Sequence, residues 1–181
     1  MSARTDPMPG EVRSVKAADG SRLDYEVVGD GALLVLLHGF LASRFAFSRQ
    51  RNDLGRRYRL IMIGARGHDG SDNTLPSNYG VGSSDVDDLQ AVLNAGQLDR
   101  VNFFAHSSGG ATAFVFACRY PERVMRTVLI EPTLYSLLPP ADRNAIEIPS
   151  MAIATKADAD GPEAALRATI EMVAGEAWTR V

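Results

Sequence analysis

Residues 101–124, VNFFAHSSGGATAFVFACRYPERV, constrain the fold more than any other part of the chain. An apolar run of strand character meets Ser107, two glycines follow, and a run of helical character leaves. Ala105-His106-Ser107-Ser108-Gly109 has the small-x-Ser-x-small pattern of a strand turning sharply into a helix. Such a turn strains the serine backbone and exposes its hydroxyl. A large side chain two positions away on either side would collide across the bend. The simpler alternative for the bare pattern is a serine capping an ordinary helix. Its position between a strand and a helix favours the sharp turn, and with it a serine presented as a nucleophile.

Strands and helices alternate around this point. Residues 12–16 and 23–28 read as two strands, with Asp19-Gly20 as their hairpin turn. Residues 33–37 are continuously apolar, as a strand buried on both faces must be. The pattern then predicts a helix over 45–54 and a short buried strand over 59–63 that ends at Gly64. Ser84 can cap the next helix, with Asp87 three residues on and Val86, Leu89 and Leu93 on one face. Asp85, Asp87 and Asp88 suit its positive end, and Gly96 closes it. A strand over 101–104, a helix over 108–119 and a strand over 127–130 complete the series. The fold class is therefore α/β, a mostly parallel sheet with helices on both faces and an antiparallel edge.

After Glu131-Pro132 the rhythm stops. Residues 137–140 and 158–162 read as loops, and Pro162 suits the first position of a helix over 163–174 striped by Leu166, Ile170 and Val173. The expected organisation is a partial core over 1–133 and the start of a helical cap over 134–181.

Composition closes off several classes of function. With 181 residues, 45% hydrophobic and 23% charged, the chain can build one packed domain. Its net charge of -3, without a basic stripe, argues against a nucleic-acid partner. The single cysteine, Cys118, excludes an internal disulfide and a cysteine-rich metal site. Its apolar neighbours predict a buried packing role. The first ten residues lack the apolar run of a secretory signal, and the longest apolar run, 32–37, is too short to span a membrane. A cytoplasmic protein without a membrane partner is the expectation.

A helix beginning at Ser108 aims its free N–H groups and its dipole toward Ser107, which favours negative charge there. Acyl transfer needs two N–H donors for the tetrahedral oxyanion. Ser108 N–H is one candidate. The second is Phe40 N–H, in the loop His38-Gly39-Phe40 directly after the strand over 33–37. The alternative for that loop is that His38-Gly39 simply ends a strand.

Together these segments resemble the α/β-hydrolase superfamily, in its cap-bearing branch of small serine hydrolases. His38-Gly39-Phe40 is similar to the family's oxyanion loop, and Arg66-Gly67-His68-Asp69-Gly70-Ser71 resembles the glycine-rich turn after its fourth strand. Residues 105–110 resemble its nucleophile elbow, and Gly175-Glu176-Ala177-Trp178 looks like part of a cap helix pair. The resemblance covers nearly all of this chain but only the front part of the usual domain. It implies Ser107 as catalytic nucleophile and Phe40 and Ser108 as oxyanion donors, with His38, Gly39 and His106 around them. No metal and no organic cofactor are implied, and the implied partner is a small-molecule acyl substrate. Two departures stand out. Members often carry aspartate where Gly64 stands and glycine where Asp69 stands. Aspartate tolerates a left-handed turn better than most residues, so the turn is expected to survive.

The family order is serine, then acid, then histidine. Here the three histidines, His38, His68 and His106, all precede Ser107. Neighbours around the elbow point apart, which argues against His106 as base. His38 suits a structural hydrogen-bonding role, and His68 a solvent-facing or structural one. Glu131 is a candidate acid, since some members place theirs there; the alternative is a hydrogen bond where the cap begins. The sequence thus predicts part of a longer hydrolase, with 127–130 as an open apolar edge prone to self-association. The expected activity is hydrolysis of a small ester, thioester or similar acyl compound. A non-catalytic family member that binds a small ligand or partner is the alternative. A lyase or cofactor-free oxidase on the same scaffold is a third reading. A serine nucleophile argues against dehalogenases, which use an aspartate.

Overall fold

Two apolar runs set the middle of the sheet. In the computed structural model, which describes residues 8–76 and 84–174, β3 (Ala32–Leu37) and β4 (Tyr58–Ile63) pair in parallel. Alternate side chains point to opposite faces. Val35, Leu37, Ile61 and Ile63 therefore join one core cluster, while Leu34, Leu36, Leu60 and Met62 join another. This two-sided burial is why neither strand alternates with polar residues.

The other strands extend the sheet both ways, in the order β1-β2-β4-β3-β5-β6. β1 (Gly10–Lys16) and β2 (Arg22–Val28) form the antiparallel hairpin, and β2 runs antiparallel to β4. β5 (Val101–His106) lies parallel to β3, and β6 (Val124–Ile130) parallel to β5. The α/β class and the antiparallel edge expected from the sequence are both present.

On one face, α2 (Ser84–Ala95) and α3 (Ser107–Arg119) bury Val86, Leu89, Val92, Leu93, Ala113 and Phe116 in the larger cluster. Phe116 meets Phe103 of β5 edge-on at 5.6 Å. On the other face a 3-10 turn, Arg44–Phe47, leads into α1 (Ser48–Gly55). Phe47 anchors the smaller cluster there and meets Phe104 at 5.8 Å. β6 is the outer strand beyond β5, with Met125, Val128 and Ile130 exposed. The chain divides into two compact units, Met1–Thr133 and Leu134–Val181. The second holds a 3-10 turn, Tyr135–Leu137, and two helices that pack on each other, α4 (Pro140–Asp160) and α5 (Pro162–Ala174).

Several local expectations change. The helix predicted over 45–54 starts as a 3-10 turn, capped by Ser43 Oγ accepting from Phe45 N–H at 3.3 Å. The loop expected over 158–162 shrinks to Gly161, whose positive φ of 89 lets α4 turn directly into α5. Likewise α4 starts at Pro140, the last residue of the loop expected over 137–140. Cys118 is exposed, not buried. It lies two residues past buried Phe116, and two residues carry a side chain about 200° around a helix. Ser84 does not cap α2: it is the first helical residue, and among the described residues its buried hydroxyl has no partner. Asp85 Oδ1 accepts from Val86 N–H at 2.9 Å instead. Residues 175–178, expected in a cap helix, lie outside the described residues.

The end of α2 also differs. Leu98 N–H donates to Leu93 C=O at 2.8 Å and Gln97 N–H to Asn94 C=O at 3.0 Å, the paired bonds of a Schellman motif. The left-handed residue is Gln97, with φ 53, and not Gly96. A left-handed non-glycine residue costs about 1–2 kcal/mol, and glycine's extra chain entropy returns part of any gain. Gln97→Gly should therefore stabilise the protein by about 0.5–1 kcal/mol, read as a higher urea midpoint at unchanged slope.

Candidate active site

The site lies where β3, β4 and β5 end, at the carboxyl edge of the sheet. β5 runs extended to His106 (φ -121, ψ 139), Ser107 swings to φ 53, and α3 follows at once. The helix thus begins at Ser107 itself, one residue earlier than predicted. An L-residue in this region costs about 1–2 kcal/mol and persists only when its surroundings dictate it. Two close approaches do so. A Cβ on Gly109 would lie 2.5 Å from His38 O and 2.7 Å from Leu37 O, so the first turn of α3 presses against the end of β3. A Cβ on Gly39 would lie 2.9 Å from Ser107 Cβ and 3.4 Å from Ser107 Oγ. The bend and the loop after β3 are thereby in direct contact. Thr133 N–H donates to Ser107 C=O at 3.2 Å and ties the chain after β6 to the same bend.

His38 is buried beneath the loop. Its Nδ1 donates to Gly39 C=O at 2.9 Å, and its Nε2 accepts from Ala65 N–H at 3.2 Å. Those partners require the neutral ring with its proton on Nδ1. Burial agrees, holding the His38 pKa below its ordinary value, with the neighbouring His68 acting in the same direction. The His68 ring stands 5.0 Å away, its Nδ1 against Arg66 C=O at 2.9 Å. Both rings are thus tied to backbone groups of the loop and the turn.

Beneath the turn after β4 lies a charge network that sequence reasoning missed. Arg66 is only 5% exposed. Its Nε and Nη2 donate to Asp88 at 2.7 and 2.8 Å, and Nη1 donates to Asp19, Ser21 and the Thr74 carbonyl at 2.6, 2.9 and 2.9 Å. A guanidinium taken out of water needs this full set of acceptors. Asp88 thus serves as a buried counter-ion, not as the helix-end charge expected. The Arg66 guanidinium also holds the Asp19 carboxyl well below the usual carboxylate range. Asp69 has φ 56, so the turn does survive with aspartate in the left-handed position.

A cavity of about 460 Å³ opens beside the bend. Phe40, Ser108 and Gly109 border it, and Leu23, Ile63 and Leu89 supply apolar wall. The structure therefore brings Ser107, Ser108, Gly39, Phe40 and His38 together. Phe40 is 68% exposed at the rim. His106 is half-buried, and a Cβ on Gly39 would lie 3.0 Å from its Nδ1. Glu131 is exposed with φ 45, one residue past Ile130, which pairs with His106. Among the described residues, no hydrogen bond joins any of the three histidines, or Glu131, to the Ser107 side chain. Among the same residues no group of three or more His, Cys, Asp or Glu could hold a metal ion, and no helix is long and apolar enough to cross a membrane.

Sheet order, bend and loop define a class, and comparison with known proteins agrees. The profile of the alpha/beta hydrolase fold family matches residues 32–159, and the chain belongs to that family. It is 34% identical over 123 residues to 2-hydroxy-6-oxo-2,4-heptadienoate hydrolase of Pseudomonas putida, a match covering 66% of this chain and 44% of that one. It is 33% identical over 123 residues to a putative non-heme haloperoxidase of Mycobacterium phage D29, covering 65% and 42%. A thermophilic esterase from Thermogutta terrifontis superposes with a TM-score of 0.68 at 26% identity, covering 84% of this chain and 55% of that one. The matches thus span less than half the length of these curated relatives.

Two outcomes follow from this geometry. Gly109→Ala forces a Cβ onto backbone that cannot move aside, so urea denaturation should show a loss of about 3 kcal/mol. The depressed His38 pKa means the unfolded state binds its proton first as pH falls. Stability from His38 is whole above about pH 6.5 and declines as pH drops below it, whereas Asp19 acts only below about pH 4. Urea midpoints between about pH 7.5 and 5 should fall in the wild type and flatten in His38→Gln.

Proposed function

We propose that this chain carries the nucleophile of a serine hydrolase acting on a small ester, thioester or similar acyl compound. Ser107 Oγ attacks the acyl carbon, and the N–H groups of Phe40 and Ser108 hold the oxygen that becomes negative. The observation that carries the reading is the left-handed Ser107 in contact with Gly39, which with Ser108 lines a largely apolar cavity. A strained serine is kept in a fold when the strain serves a site. None of the three histidines is assigned as the base in this reading: His38 and His68 are bonded to backbone groups, and among the described residues no hydrogen bond joins His106 to the Ser107 side chain. Glu131 is the acid candidate within the chain, one residue past the strand beside the bend. The family relatives, a hydrolase and an esterase among them, lend support to this class of reaction.

A second reading rests on the same missing base: the chain binds a small ligand or partner without turnover. A fluorophosphonate probe separates the two. Labelling should be slow, should vanish in Ser107→Ala, and should quicken at least about tenfold when imidazole supplies a base from solution. A folded chain that stays unlabelled with imidazole present would establish the binding reading instead.

A further inference from the structure

The loop after β3 is fastened to the turn after β4 at two points. One is His38, whose Nε2 accepts from Ala65 N–H at 3.2 Å. The other is Arg44, at the far end of the same loop. Asp69 Oδ2 accepts from Arg44 N–H at 3.1 Å, and Asp69 Oδ1 faces Arg44 Nε at 3.6 Å. Between these points the chain bends tightly: Leu41 has φ 58, and Ala42 N–H donates to Gly39 C=O at 3.2 Å. Phe40 sits inside that bend.

The carboxylate that holds Arg44 is unusual in where it comes from. Asp69 lies on a turn and its backbone is open to solvent, yet its side chain is 1% exposed. The left-handed backbone at φ 56 folds that side chain back over Gly64. A Cβ on Gly64 would lie 2.8 Å from Asp69 Oδ2 and 2.9 Å from Asp69 Cβ. Residue 64 must therefore be glycine while residue 69 supplies the carboxylate. The same geometry means that a carboxylate launched from residue 64 would fill the same space.

We infer that Asp69 is a positioning residue: its carboxylate, laid over Gly64, clamps Arg44 and so fixes the Phe40 amide opposite Ser107. The inference rests on the serine reading for its catalytic meaning, but the clamp itself is testable without it. An ordinary turn aspartate, serving only its own backbone, could not be replaced from position 64. A clamp could.

The test uses Asp69→Gly, Asp69→Asn and the swap Gly64→Asp/Asp69→Gly, with two readouts. Hydrogen exchange of the amides in residues 39–45 should quicken about tenfold or more in Asp69→Gly, with β3 and β4 still protected, and less in Asp69→Asn. Phosphonate labelling with imidazole should slow by about 10- to 100-fold in Asp69→Gly, because a donor displaced by an ångström loses most of its effect. The swap should restore both to within about twofold of the wild type. Unchanged loop exchange in Asp69→Gly and Asp69→Asn would overturn the clamp, as would a folded swap variant that restores neither readout. If the swap variant does not fold, Asp69→Asn decides alone, through faster loop exchange with an intact β3 and β4. A wild type that never labels would strike only the serine reading, and the exchange result would still decide the clamp.

Discussion

The site depends on two close contacts made at glycines, one against backbone and one against the Ser107 side chain. The first turn of α3 touches the end of β3, and the loop after β3 touches the bend at Ser107. Neither approach leaves room for a Cβ, so Gly109 and Gly39 are dictated by distance. The strain of about 1–2 kcal/mol at Ser107 is sustained by these contacts and by the packing of α3 through Ala113 and Phe116 into the larger core. The apolar sheet core and the carboxyl edge of the sheet are thus joined through a few residues in close contact.

Charge does the remaining positioning. The turn after β4 carries Arg66 inward to Asp88 and Asp19 and carries Asp69 inward to Arg44. The first set anchors the turn to α2 and to the β1–β2 hairpin. The second reaches across to the loop after β3. Buried ion pairs are weak contributors to stability but strict about geometry, since an unpaired partner is costly. Their use at the rim of the cavity fits a need for fixed placement of backbone amides.

The sheet was legible because two of its central strands carry unbroken apolar runs, 33–37 and 60–63, and its bend carries a local steric signature. The apolar runs 33–37 and 60–63 point to burial on both faces, and Ala105 to Gly109, set between a strand and a helix, points to a tight turn. What stayed hidden depends on contacts distant in sequence. Asp88 reads as a helix-end charge until Arg66 is seen beneath it. Asp69 reads as a turn residue until Arg44, 25 positions earlier, is found against it. Gly96 is the obvious helix stop, yet Gln97 takes the left-handed position and Gly96 leaves room for the Leu98 side chain. Cys118 misled for a local reason: its apolar neighbours face the sheet and it does not. The glycine–aspartate exchange at 64 and 69 was visible in the sequence, but its meaning lay in a distance.

The most direct measurement of the central claim is a crystal structure of the chain after reaction with a small phosphonate. The account predicts phosphorus on Ser107 Oγ, Ser107 still at positive φ, and one phosphonyl oxygen within hydrogen-bond reach of both Phe40 N–H and Ser108 N–H. A phosphonyl oxygen turned away from both amides, or Ser107 relaxed into an ordinary helical conformation, would contradict it.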